Sequence, residues 1–304
     1  MDETIDRKPL VAVVLSTYNG EQYLQEQLES IRTQDYPNIV LVARDDGSTD
    51  ATLSILEGYA RDSNTILTRG QNKGFGQSFM TALETVPKEA SYIAFCDQDD
   101  VWHRDKVSRG VVALEAIDQN IPALYCTALN ACNDRLEFAD VIDLNRIGLD
   151  FPKLLFEMVP SGNTILMNRQ LFETAMSKSF KKVSYHDWWF SQIASSIGRI
   201  VYDHVPSIEY RRLSSSVSAG NMSGIRFLIF RIKNFLIGEK LEGIREQLAW
   251  FETQFGCYLT DSDRNELEKA LRGNRIAKTL SRTRYRQSLK DELALRLLFL
   301  TGKL

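Results

Sequence analysis

Along the first third of the chain, apolar runs alternate with stretches in which apolar residues return every three or four positions. Residues 10–16 form a continuous apolar run between polar turn residues, the pattern of a strand buried on both faces. Residues 21–33 then place Leu24, Leu28 and Ile31 at helical spacing. The pair of signals recurs at 39–44 and 52–59, with Ser48 or Asp50 expected to cap the second helix, and again at 65–68 and 76–83. Residues 92–96 supply a fourth strand. This alternation implies right-handed crossovers and an α/β fold with a mostly parallel, doubly wound sheet, whose ligands sit beyond the carboxyl ends of its strands. Polar clusters fall at those ends: Thr17-Tyr18-Asn19-Gly20, Asp45-Asp46-Gly47-Ser48 and Asp97-Gln98-Asp99-Asp100 follow the first, second and fourth strands.

Composition narrows the class. The 304 residues, 43% apolar and 25% charged, describe an ordinary globular chain able to bury a core. A net charge of -3 gives no general pull toward nucleic acid. Four cysteines without a Cys-x-x-Cys pair indicate neither structural zinc nor a disulfide framework, so reduced thiols and a cytoplasmic setting are expected. From the polar start no signal peptide is expected, and no apolar run reaches the ~20 residues of a membrane span. Charge is unevenly shared: residues 1–220 hold 21 Lys and Arg against 30 Asp and Glu, whereas residues 221–304 hold 16 against 10. The Ser- and Gly-rich stretch 213–224 marks the change, so a main domain at 1–220 and a helical basic extension at 221–304 are expected.

Three clusters carry candidate chemistry. The carboxylates of Asp97, Asp99 and Asp100 crowd one strand end, which is costly unless a cation compensates them; Mg2+ or Mn2+ is the natural partner, completed by water and phosphate oxygens. The same residues also read as caps of a helix starting near Asp105, but their register with two other polar strand ends favours the cation. Asp45-Asp46-Gly47-Ser48 reads either as a tight turn with a cap or as an acceptor for a ribose hydroxyl or base N–H. His186-Asp187-Trp188-Trp189 reads either as a carboxylate base beside a sugar-stacking platform or as a capping Asp187 with two core tryptophans. Neither a dinucleotide fingerprint nor a Walker motif is present.

Taken together, Ser16-Thr17-Tyr18-Asn19-Gly20, Asp45-Asp46-Gly47-Ser48-Thr49-Asp50, Asn72-Lys73-Gly74-Phe75-Gly76 and Asp97-Gln98-Asp99-Asp100-Val101-Trp102 resemble, in order and spacing, the inverting glycosyltransferases of family 2, in particular the bacterial rhamnosyltransferase branch. The resemblance covers about 9–217. It implies the GT-A fold, with a nucleotide-sugar half at about 9–120 and an acceptor half at about 121–217. It also implies transfer of a sugar, rhamnose from dTDP-rhamnose first, to a cell-surface polysaccharide or lipid-linked saccharide. A UDP-hexose or UDP-N-acetylhexosamine donor, or a non-catalytic scaffold of the same fold, are the alternatives. Carried over by position, Thr17, Tyr18, Asn19, Asp45, Asp46, Asn72 and Gly74 belong to the nucleotide pocket, and Asp97 and Asp99 to the sugar and metal. Gly162, Asn163, His186 and Trp188 belong to the acceptor side, and Asp187 is the general base.

The chain departs from the family in two places. Ser78 stands where relatives carry a second Asn, and Leu213 stands where they carry a metal-binding His, in Tyr210-Arg211-Arg212-Leu213. Leucine binds no metal, so either Asp99, the diphosphate and water hold the cation, or Arg211 or Arg212 supplies positive charge for the leaving group, or the enzyme is weakened. In the extension, residues 225–237 set Arg226, Arg231 and Lys233 among large apolar groups, and 275–290 adds Arg282, Arg284 and Arg286. Such helices either lie on an anionic membrane at the inner face of the cell or pack on the main domain with their basic side chains snorkelling.

Overall fold

A computed structural model describes residues 8–180, 183, 185–212 and 238–304. Leu213, the stretch 213–224 and the run 225–237, with Arg226, Arg231 and Lys233, lie outside the described residues.

The expected β-α alternation is present. Strand β1 (Leu10–Thr17), helix α1 (Leu24–Arg32), β2 (Ile39–Asp45), α2 (Thr52–Arg61), β3 (Thr65–Arg69), α3 (Phe75–Leu83) and β4 (Ala90–Cys96) follow in order. β1 pairs in parallel with β2 and β4, and β2 pairs in parallel with β3. The chain continues through β5 (Val101–Trp102), α4 (Lys106–Glu115), β6 (Ala123–Thr127), β7 (Leu129–Cys132), β8 (Phe138–Ile142), β9 (Leu166–Asn168), α5 (Arg169–Met176), α6 (His186–Ile197), β10 (Arg199–Asp203) and β11 (Ile208–Arg211). The main sheet has the order β10-β6-β9-β4-β1-β2-β3, and β9 is antiparallel to both of its neighbours. Val11 through Leu15 are fully buried, as a central strand covered on both faces requires.

A second sheet, β5-β11-β7-β8, was not expected from the sequence. Its consequence for the site is direct: β11 pairs antiparallel with β5, which brings the backbone N–H of Arg211 to Asp100 Oδ1 at 3.3 Å.

The expected caps are corrected. Ala51 occupies the N-cap of α2, while Ser48 turns back to Asp45, and Asp50 accepts from the Thr52 N–H (3.0 Å) and hydroxyl (2.5 Å). The C-terminal helices are α7 (Gly238–Phe255), α8 (Asp261–Arg272), α9 (Arg275–Thr279) and α10 (Leu289–Thr301), and α7, α8 and α10 contribute to the main core. Phe251 stacks near Phe151 and Trp189, with ring centroids 5.5 and 5.7 Å away.

Candidate functional site

The carboxyl ends of β1, β2 and β4 meet with the start of α6 in one region. Loops there are tied to each other by side chains. Gln98 accepts from Tyr18 N–H (2.9 Å) and donates to the Tyr18 carbonyl (3.2 Å); Asn19 N–H donates to Ser48 Oγ, and Asn19 Oδ1 accepts from Thr49 N–H. The Tyr18 ring stays 47% exposed, so it is the aromatic surface that the first cluster presents.

Asp45 and Asp46 face inward, with their carboxylates bonded within the fold. Asp45 accepts from Thr17, from both donors of Ser48 and from Gly47 N–H. Asp46 pairs with Arg44 and accepts from Lys73 N–H and Gly74 N–H at 3.0 Å. A carboxylate offers roughly four acceptor positions, and both groups spend theirs within the protein. Asp46 therefore clamps the Asn72-Lys73-Gly74 loop, where Gly74 takes φ +81°, a conformation that a side chain disfavours. Asn72 accepts from Gly74 N–H and remains exposed. Ser78 joins this network, since it accepts from Arg44 (2.9 Å) and lies 2.5 Å from the Ser16 hydroxyl.

At the end of β4 the carboxylates divide by environment. Asp100 is fully buried, accepts from Asn163 Nδ2 at 2.5 Å, and is pushed up to about 7 by burial and then by Asp99. Lys106, buried 4.7 Å over the Trp102 ring, has its ammonium pushed down to about 7 by burial. Asp97 is held well above the ordinary carboxylate range, first by burial and then by the negative charges of Asp100, Asp99 and Asp187. Asp99 is raised by burial, with Arg211 opposing. None of these groups caps α4, whose N-cap Asp105 makes no side-chain cap. Crowded carboxylates with this little compensation fit a hard divalent cation at Asp97 and Asp99. Among the described residues no group of three His, Cys, Asp or Glu is arranged as a complete ligand set.

Asp187 lies in the first turn of α6, where burial pushes it up to about 6. Its Oδ1 accepts from Trp188 N–H at 2.9 Å, and the Gly162 N–H also bonds to it. A Cβ on Gly162 would stand 3.2 Å from both the Cβ and Oδ2 of Asp187, so a side chain here would press on the carboxylate. Asn163 is buried, donates to Asp100 and accepts from Ser161.

Three residues expected in the site are packed within the fold. Trp188 is buried, and its indole N–H donates to the Leu154 carbonyl at 2.5 Å, so it offers no face to a sugar. The His186 ring stacks on Phe79 at 4.2 Å and meets Phe95 edge-on at 4.7 Å; both ring nitrogens are buried without a partner, and burial lowers its pKa to about 3. The Arg211 guanidinium pairs with Glu26, donates to the Asp134 carbonyl and lies 4.6 Å over Tyr23, while its Nε is buried without a hydrogen-bond partner and its charge opposes the rise of Asp99. The sequence reading passed over Lys106, Arg44 and Phe75. Phe75 is 61% exposed with its ring 5.3 Å from His186, and its place after Gly74 at the head of α3 was the one available signal.

A mostly parallel sheet here carries an acidic strand end, a clamped glycine loop and a buried carboxylate. The family model described as glycosyl transferase family 2 matches residues 12–174, more than half the chain, and the chain belongs to that family. It is similar to the dTDP-rhamnosyl transferase RfbG of Shigella flexneri, 26% identical over 226 residues that make up 69% of this chain and 75% of the relative. Its GT-A fold is similar to that of S. aureus TarS 1-349 in complex with UDP-GlcNAc (TM-score 0.57, 15% identity, 96% and 92% of the two chains). It is also similar to the mannosyltransferase PcManGT from Pyrobaculum calidifontis in complex with GDP-Man and Mn2+ (TM-score 0.52, 18% identity, 98% and 84%).

Proposed function

We propose that this glycosyltransferase is inverting and metal-assisted, and that it transfers rhamnose from dTDP-rhamnose to a growing cell-surface polysaccharide or lipid-linked saccharide on the cytoplasmic side. Likeness to RfbG supports the donor. The observation that carries the mechanism is Asp187, a buried carboxylate whose affinity for a proton is raised to about 6 and which faces the acidic end of β4. Catalysis by a general base works best when its pKa lies near the working pH.

The acceptor hydroxyl attacks C1 of the donor sugar while its proton passes to the Asp187 carboxylate. The C1–O bond to the diphosphate breaks, and its electron pair leaves with the nucleoside diphosphate. One displacement inverts the anomeric centre, so no covalent sugar intermediate is required. Asp97 and Asp99 would hold the cation, which when bound supplies positive charge against the leaving diphosphate. Gly162 N–H orients the base. The exposed Tyr18 ring and Asn72 face the nucleotide, and Phe75 takes the sugar-stacking place that Trp188 cannot fill.

A thermal-shift panel of dTDP-rhamnose, UDP-glucose and UDP-N-acetylglucosamine, with and without Mn2+, tests this reading, because a ligand of the folded state raises its stability. A Mn2+-dependent shift with dTDP-rhamnose that Asp99→Ala removes is expected. A larger shift with a UDP-sugar would reassign the donor, and a parental shift indifferent to Mn2+ would overturn metal assistance.

A further inference from the structure

The last helix, α10, is apolar on two sides. Leu295, Leu298 and Phe299 turn into the main core, where Phe299 meets Phe156 and Tyr285. Leu289, Leu293, Leu297 and Leu300 turn the other way; at 100° per residue they fall within an arc of about 80°. Helix α9 lies alongside, since Arg296 donates to the carbonyls of Lys278 and Thr279, and it adds Ile276 and Leu280 to the outer surface. These six aliphatic residues are each between 54% and 75% exposed. So many large apolar side chains on one neighbouring pair of helices mark an interaction surface.

The charge around them says what covers it. Residues 273–304 contain eight Lys and Arg, and Asp291 and Glu292 are their only acidic residues. Glu292 is turned inward, pairing with Arg296 and accepting from the N–H groups of Tyr285 and Arg286. Arg275, Arg282, Lys290 and Lys303 are exposed. A second copy of this surface would face basic charge with basic charge, whereas an anionic lipid surface satisfies both the aliphatic stripe and its basic surround. We infer that the outer face of α9 and α10 docks on an anionic membrane, with the leucine stripe entering the headgroup boundary and the cations meeting lipid phosphates.

The sequence pointed to residues 225–237 and 275–290 for such a contact; the proposed surface takes in part of the second stretch and extends along α10. The test therefore uses the full chain and point variants of α10, read by flotation with vesicles of phosphatidylcholine alone or mixed with phosphatidylglycerol. The parent should float with the anionic vesicles, less so as salt rises, and hardly at all with neutral ones. Leu293→Glu with Leu297→Glu should reduce flotation to the neutral-vesicle level without changing the melting temperature, since both side chains are exposed; Leu293→Ser with Leu297→Ser serves if the first pair folds poorly. A parent that does not float, or variants that float like the parent, would overturn the proposal. So would light scattering that finds a dimer in the parent and a monomer in the variants.

Discussion

His186 unfolded takes up a proton near its ordinary value of 6.5, but folded among Phe75, Phe79 and Phe95 it resists protonation down to about 3. Between those values the unfolded chain binds the extra proton, so this residue's contribution to folding stability is lost as pH falls, by about 1.4 kcal/mol per pH unit. His186→Phe removes that dependence. In urea unfolding the variant should gain about 2 kcal/mol on the parent between about pH 7 and pH 5. Parallel pH dependence of the two proteins would mean that the imidazole is solvated or partnered after all. At this scale the sequence was least readable. The residue types at 186 to 188 suit sugar recognition, but the side chain of Trp188 is claimed by the Leu154 carbonyl, a partner 34 positions away that no local pattern reveals.

At the scale of elements the reading was better. The three β-α pairs, the fourth strand and the clusters at the carboxyl ends of the first, second and fourth strands are where the periodicity put them, because a buried parallel strand leaves a continuous apolar run. The second sheet escaped because β5 has two residues and β7 and β11 four each, too short for an alternation to register. Asp46 shows what such joints do: it bonds the end of β2 to the loop before α3 and neutralises buried Arg44. Asp46→Asn should cost about 3–5 kcal/mol by chemical denaturation, because an uncompensated guanidinium is left buried. Donor affinity should fall with it as the Asn72-Lys73-Gly74 loop loosens. A loss below about 1 kcal/mol would show that Arg44 reaches solvent in solution.

For the whole molecule, the change in charge at 220 suggested two units, yet α7, α8 and α10 contribute Phe251, Leu267 and Leu295 to the same core as β1 and β4. Charge composition reports on surface, and so it is blind to a shared interior. Phe251→Ala removes a fully buried ring packed on Phe151, Trp189 and Phe255, with an expected cost of about 3–5 kcal/mol. The loss should appear in one cooperative transition that also carries the catalytic region, followed by tryptophan fluorescence and calorimetry. Two separated transitions, with only the smaller one shifted, would make 238–304 an independent unit.

The most direct test of the mechanism is a comparison of the parent with Asp187→Asn, in which donor binding is followed by calorimetry and sugar transfer by single-turnover release of the nucleoside diphosphate. The amide keeps the shape of the carboxylate but cannot take a proton, so the nucleotide-sugar Kd should change less than about threefold while transfer falls by about 10²–10⁴-fold. The parent's rate should decline as pH drops through about 6, where Asp187 becomes protonated and can no longer accept the acceptor's proton. Transfer at the parental rate by Asp187→Asn would contradict the assignment of the base.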